Sequence, residues 1–320
     1  MRPDASVVIA AFNAERSISR AIESALAQDG ASMEVIVVDD CSTDRTVEVA
    51  RSFPAERVRV VVLEQNRGPG GARNAGLEVA SGRWISVLDS DDTMHADRLM
   101  RMIGRAEANS AQLAVDNLEV IQEATGAKKP MFEPALLESR PELTLTDLIA
   151  SSLMFEETFS FGYMKPIFER RFVEHHGLRY DTKLRIGEDY IFMASALAKG
   201  GRCVVEPQAG YGYHVRADSI SRVLELGHVE AMLAADAAFT RRHRLDGQAL
   251  AAQARRTRSL EQAASFLALV GHLKDRSPLK AFETALRDPI ALRHLRMPIA
   301  ARLSRLARPF KPRKAITQTG

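Results

Sequence analysis

The chain has 320 residues, 46% hydrophobic and 27% charged, enough for one large core or a main domain with a smaller appendage, and unlike a disordered chain. Its formal net charge of +3 hides an asymmetry: residues 291–320 carry eight Lys or Arg and no Asp or Glu, which leaves −5 on residues 1–290. A basic tail on an acidic body argues against a general nucleic-acid binder, and two distant cysteines, Cys41 and Cys203, without metal-ligand spacing fit a reducing cytoplasm.

Residues 1–4 lead straight into the strand-like Ser6-Val-Val-Ile-Ala10 without a signal-peptide pattern. No apolar run approaches the roughly 20 residues that span a bilayer. The expected place is therefore the cytoplasm, in solution or peripherally on the inner membrane.

Strands are predicted at 7–10, 35–38, 58–63 and 84–88. Between them Ile18, Ala21, Ile22, Ala25 and Leu26 recur at helical spacing, as do Val47, Ala50 and Phe53, then Leu99, Met102, Ile103 and Ala106. Alternation of this kind predicts a mostly parallel α/β sheet covered by helices, which gathers ligands beyond the carboxyl ends of its strands. Those ends carry Asn13, Asp39-Asp40, Asn66-Arg-Gly68 and Asp89-Ser-Asp91. Residues 113–121 alternate like a hairpin strand, and 128–141, rich in Pro and charge, are expected to form a surface loop. Tyr190, Ile191, Ala194, Leu197 and Ala198 predict a helix that Gly200-Gly201 stops, and from 227 onward the pattern is helical.

The densest chemistry lies where the apolar run 84–88 breaks into Asp89-Ser-Asp-Asp92. Carboxylates clustered at a strand end repel one another, and a hard divalent ion such as Mg²⁺ or Mn²⁺, which shares its shell readily with phosphate oxygens, relieves that repulsion. Asp92 is expected to start the following helix.

Four further segments each allow two readings. Asp39-Asp-Cys-Ser-Thr-Asp44 either caps a helix or presents Asp39 to a base or ribose. In Asn66-Arg-Gly-Pro-Gly-Gly-Ala-Arg-Asn74, which fits neither G-x-G-x-x-G nor a Walker loop, the glycines make either a flexible turn or a close approach to an anion. Arg73 is correspondingly solvated, or it neutralises a diphosphate or holds the acidic cluster in place. Gly187-Glu-Asp-Tyr190 opens a helix whose dipole favours Glu188 and Asp189 whatever their task, while Asp189 also suits a general base. His214 is a third metal ligand or simply a partly buried histidine.

Taken in order, Val7-Val-Ile-Ala-Ala-Phe-Asn13, Val37-Val-Asp-Asp-Cys-Ser-Thr-Asp44, Asn66 to Asn74, Leu88-Asp-Ser-Asp-Asp92 and Gly187-Glu-Asp189 resemble the family 2 glycosyltransferases, over roughly 6–221 including Tyr213-His-Val-Arg-Ala-Asp-Ser-Ile-Ser221. The likeness is greatest to bacterial members that build exopolysaccharides of the succinoglycan type. The resemblance implies a GT-A fold with a catalytic domain over 1–225, its nucleotide-sugar half at 1–115 and acceptor half at 116–225, followed by a helical extension over 226–320. It implies an inverting transfer of a hexose, glucose first, from a UDP-sugar to a saccharide acceptor. By the same resemblance Ala11, Asn13, Asp39, Arg73 and Asp89 hold the nucleotide sugar, Asp91 with Asp89 holds Mn²⁺ or Mg²⁺, and Asp189 is the base, with Glu188 one residue away as its rival. A single displacement needs such a base on one face and charge neutralisation at the leaving diphosphate on the other.

Leu292, Leu295, Ile299, Leu303, Leu306 and Phe310 repeat at three or four residues among Arg296, Arg302, Arg305, Arg308, Lys311, Arg313 and Lys314, interrupted by Pro298 and Pro309. Such a segment either lies on an anionic membrane surface, where a lipid-linked acceptor would be met, or packs its apolar stripe on the chain's own body. Two rival functions stand beside transfer. One is a sugar-phosphate nucleotidyltransferase, whose basic Gly-rich loop is not found in Ala10-Ala-Phe-Asn-Ala-Glu-Arg16; the other is a silent sugar-nucleotide-binding scaffold, against which Asp91 and Asp189 together argue.

Overall fold

A computed structural model describes residues 2–155, 160–215, 224–289 and 292. Strands β1 (Ala5–Ala11), β2 (Met33–Asp39), β3 (Val58–Val62) and β4 (Trp84–Asp89) alternate with helices α1 (Ile18–Leu26), α2 (Thr46–Arg51) and α3 (Gly68–Val79). Val7, Val8, Ile9, Val35, Ile36, Val37 and Val38 are buried, as strands covered on both faces require. Helix α3 lies close on this sheet because residue 76 is glycine: a Cβ there would come within 2.3 Å of Val8 Cγ1.

The chain continues through β5 (Thr93–Met94), α4 (Arg98–Ala108), β6 (Leu113–Gln122), β7 (Ala127–Pro130), α5 (Pro134–Glu138), α6 (Leu145–Ser151), β8 (Ile167–Glu169), α7 (Arg170–His175), α8 (Glu188–Ala198) and β9 (Cys203–Val215). The described residues form one nine-stranded sheet in the order β3-β2-β1-β4-β8-β6-β9-β5, with β7 paired to β6. The first four strands are parallel; β8 then runs antiparallel to β4, and β6 antiparallel to β8 but parallel to β9. Strand order reverses between β1 and β4, and the register sets Ala11 beside Asp39 and Ala10 beside Asp89. The switch point, where open α/β sheets bind ligands, thus lies among the acidic strand ends.

Three local expectations are corrected. Strand β6 pairs with β7 as a hairpin, but it is also enclosed between β8 and β9, so it is buried on both faces at 113–118 instead of alternating. The segment 128–141 is not a loop throughout. It ends β7 and forms α5, because Met131, Phe132 and Leu137 are buried and Asn117 binds the Phe132 backbone on both sides, at 2.8 and 3.1 Å. Asp92 starts no helix: it precedes β5, and α4 begins only at Arg98.

The helical part comprises α9 (Leu226–Arg242), α10 (Gly247–Lys274) and α11 (Pro278–Arg287). Packing divides the chain into compact units, Met1–Leu260 and Glu261–Gly320. Within the first, Arg256 pairs with Asp236 at 2.8 Å, donates to the Ser152 carbonyl at 2.5 Å and lies 3.8 Å from the Tyr190 ring centroid, fastening α9 and the start of α10 onto α8. In the second, α11 exposes Leu279, Phe282 and Leu286 and buries Ala281. The basic amphipathic segment from 292 to 314 lies, apart from Leu292, outside the described residues. No helix among the described residues is long and apolar enough to cross a membrane.

Candidate active site

Two loops leave the switch point locked together. Asn13, at φ 50°, donates its backbone N–H to Ser42 Oγ at 2.9 Å and accepts from the Thr43 N–H at 2.8 Å. Asp44 accepts from the Glu15 and Thr46 N–H groups, both at 3.0 Å, so its capping of α2 is joined to a second task of holding the loop after β1. The Ala11 carbonyl accepts from the Asp40 N–H at 2.8 Å.

Asp39 ends β2 fully buried. One carboxylate oxygen, Oδ2, accepts from the Ser42 N–H at 3.0 Å; Oδ1 is buried without a partner among the described residues. A buried acceptor left unmatched costs about 1–3 kcal/mol. Asp40 is spoken for by the Arg67 N–H at 2.6 Å, and burial pushes its carboxyl up against the pull of the Arg67 and Gly68 amides.

Arg73 is not solvated. It points from α3 into the molecule, 4% exposed, with Nη2 2.7 Å from Asp89 Oδ1 and Nη1 2.5 Å from Glu188 Oε1 and 3.1 Å from Asp189 Oδ1. The glycines before it serve close packing: a Cβ on Gly70 would stand 3.0 Å from the Asp181 carbonyl, and Gly68 takes φ 75°. Gly187, at φ 89°, turns the chain into α8, which brings Glu188 and Asp189 to the same guanidinium.

Opposite Arg73 stands Lys165, which no sequence pattern singled out. Its Nζ lies 2.8 Å from Asp89 Oδ2 and 2.7 Å from Asp189 Oδ2. Asp89, Arg73, Asp189 and Lys165 therefore form a closed ring of alternating charge. Burial pushes the Asp89 carboxyl up, yet Lys165 and Arg73 together hold it well below the usual carboxylate range. Burial pulls the Lys165 ammonium down, and Asp189 and Asp89 more than offset it, leaving it above the usual lysine range. For Glu188 burial outweighs Arg73, and its carboxyl is pushed up.

The other two carboxylates of the acidic turn differ. Asp92 is buried; it accepts from Tyr211 Oη and the His214 N–H, each at 2.8 Å, and the Asp89 N–H donates to Tyr211 Oη at 3.1 Å. Burial and the charges of Asp89 and Asp91 push the Asp92 carboxyl well up. It pins β9 beneath the turn. At Asp91 the backbone carbonyl accepts from Arg20 at 2.7 Å.

The His214 ring sits between Thr93 Oγ1, 3.1 Å from Nε2, and Glu123 Oε1, 3.5 Å from Nδ1, and burial pushes the imidazole down. The described residues contain no group of three His, Cys, Asp or Glu that could by itself hold a metal ion. Both cysteines are free.

Of the residues read from the sequence, the fold brings Arg73, Asp89, Glu188 and Asp189 into contact and sets Ala11 at the end of β1, Asn13 in the loop after it and Asp39 at the end of β2, with His214 turned to Thr93 and Glu123. Residues 6–172 match Glycosyl transferase family 2. The chain belongs to that family. It is 59% identical over 308 residues to the succinoglycan biosynthesis protein ExoO of Rhizobium meliloti (strain 1021), covering 96% of this chain and 88% of the relative. Among solved structures, S. aureus TarS 1–349 in complex with UDP-GlcNAc superposes with a TM-score of 0.63 at 18% identity, over 89% of this chain and 92% of that one. The mannosyltransferase PcManGT of Pyrobaculum calidifontis, in complex with GDP-Man and Mn²⁺, gives 0.60 at 16% identity, over 95% and 81%. Both likenesses are of fold, and the expected GT-A architecture of a mixed α/β sheet flanked by helices, with a helical C-terminal region, is the one found.

Proposed function

We propose that this chain is an inverting, metal-dependent glycosyltransferase of bacterial exopolysaccharide assembly. It moves a hexose, with glucose the first candidate, from a UDP-sugar to a hydroxyl of a saccharide acceptor carried on a lipid at the cytoplasmic face of the inner membrane. The observation that carries the reading is the ring in which Asp89 of the strand end and Asp189 of the α8 terminus share Arg73 and Lys165. Kinship to a succinoglycan biosynthesis protein supports the pathway, and the basic segment at 292–314 supports the membrane surface.

The donor set suits a divalent ion completed by the donor. Asp89 and Asp91 stand two residues apart where β4 ends, hard oxygen donors of the kind these ions take, and Asp91 is the carboxylate of the turn assigned to Mn²⁺ or Mg²⁺. Such ions are commonly held by one or two carboxylates plus substrate phosphates. Neutralising the charge that develops on the departing diphosphate is the chemistry a bound ion would supply.

The chain's own residues do the rest. Asp39 Oδ1 accepts from the uracil ring N–H, Ala11 and Asn13 flank the nucleotide, and Asp89, fixed by Arg73 and Lys165, meets the ribose. Asp189, more open than Glu188, takes the proton of the acceptor hydroxyl as its oxygen attacks the anomeric carbon. The bond to the diphosphate breaks on the opposite face, UDP leaves with the electron pair, and configuration inverts. General-base assistance of this kind contributes about 10² to 10⁴ in rate.

Screening nucleotide sugars for Mn²⁺-dependent UDP release, with Asp189→Asn alongside, tests the proposal. A UDP-sugar should be selected, and Asp189→Asn should bind UDP normally yet lose release. Wild-type release by Asp189→Asn would overturn the base assignment.

A further inference from the structure

A buried ammonium is expensive unless paired, and Lys165, 9% exposed, is paired twice, to carboxylates 100 residues apart in the chain. Its backbone is fixed as firmly as its tip. The Lys165 carbonyl accepts from Arg98 Nη2 at 2.5 Å, and Arg98 is gripped by Asp116 through Nε at 2.8 Å and Nη2 at 2.9 Å. Pro166 follows, restricting the chain, and Ile167 enters β8 opposite Ser86 and Ala114. The core of the sheet thus dictates where this ammonium stands.

Asp189 is gripped unequally. Lys165 holds Oδ2 at 2.7 Å, whereas Arg73 reaches Oδ1 at 3.1 Å and is shared with Glu188 at 2.5 Å. We propose that Lys165 is the positioning residue for Asp189, clamping its carboxylate through Oδ2 so that the remaining lone pairs face the attacking hydroxyl. The proposal rests on the reading of Asp189 as the base. A carboxylate has about four lone-pair sites, so a tether on each oxygen still leaves room for the substrate. The charged and titratable groups facing Asp189 are Arg73 from α3, Lys165 ahead of β8, Glu188 on α8, Tyr180, and Asp89 across the ring. Without Lys165, Arg73 alone would balance three carboxylates, and their like charges would displace Asp189.

The test uses the full chain, UDP release from UDP-glucose with Mn²⁺ and water as the attacking hydroxyl, UDP binding by calorimetry, and thermal unfolding. Lys165→Met should lower release about 10²-fold, the scale of an ångström misplacement of a catalytic group. UDP affinity should stay within about threefold, because Arg73 still holds Asp89 at 2.7 Å. Lys165→Arg should restore part of the rate. Should Lys165→Met not fold, Lys165→Gln, which keeps a donor without the charge, carries the same measurements.

A double-mutant cycle separates this inference from the one beneath it. In an Asp189→Asn background, Lys165→Met should cost little further rate, because it acts through the group already lost. Full multiplication of the two losses overturns the positioning role while leaving the base reading intact. A wild-type rate for Asp189→Asn alone overturns the base reading. A loss of UDP affinity matching the loss of rate also overturns the role.

Discussion

Arg98 and Asp116 form a bidentate ion pair with neither side chain exposed, and the same guanidinium donates to Ser86 Oγ and to the Lys165 carbonyl. A pair so deep in the sheet supports one end of the ring of alternating charge. Removing one partner leaves a charge without compensation. Asp116→Ala should therefore destabilise the fold by about 3–5 kcal/mol, read as a fall in the urea midpoint. The double variant Arg98→Met/Asp116→Leu should recover most of that loss, since the stranded charge goes too.

Asp39 carries a buried oxygen with no partner among the described residues. Replacing it with Ala removes the proposed acceptor for the uracil and should weaken UDP binding by about 1–3 kcal/mol, or roughly fivefold to 150-fold, in calorimetry. Because the oxygen is unmatched in the fold itself, the thermal midpoint should fall far less than for Asp116→Ala.

Metal dependence should divide the acidic turn. Chelation should abolish UDP release, and added Mn²⁺ should restore it. Asp91→Asn should raise the Mn²⁺ concentration for half-maximal release by at least about tenfold. Asp92→Ala should instead lower stability, because it frees Tyr211 Oη and the His214 N–H, both now bound to that carboxylate. Equal metal requirements in wild type and Asp91→Asn would remove Asp91 from the metal shell.

The ring sets a pH window. Asp89 is held below its usual value by Lys165 and Arg73 against burial, so its contribution is complete above about pH 4 and is lost as pH falls from there toward its folded value. Lys165 is held above its usual value, so its contribution is complete below about pH 10 and lost as pH rises through its folded value. Across neutral pH both are fully present. Thermal midpoints measured downward from pH 5 should therefore fall less steeply for Asp89→Asn than for wild type; parallel curves would show that Asp89 gains no stability from its partners.

Residues with local signatures were legible in advance. The apolar run 84–88 with three carboxylates behind it reads as a buried strand meeting solvent, and Gly187-Glu-Asp189 marks a helix start; both stand where the pattern puts them. The error at 128–141 has a local cause too: Pro and charge masked Met131 and Phe132, whose burial depends on Asn117 reaching across from β6. Asp92 looked like a cap because it follows the strand, but its partners come from β9, some 120 residues later.

The sequence by itself determined the alternation of strands and helices, the acidic strand ends and their order along the chain, because hydrophobic periodicity and turn chemistry act over a few residues. Tertiary structure decided the pairing. That Arg73 is buried among carboxylates, that Asp39 keeps an oxygen unmatched among the described residues, and that Lys165 closes the ring all depend on elements joined across long chain separations. Charges meet at about 3 Å only when the sheet has fixed their backbones, and no local pattern encodes which distant lysine will stand opposite which acid.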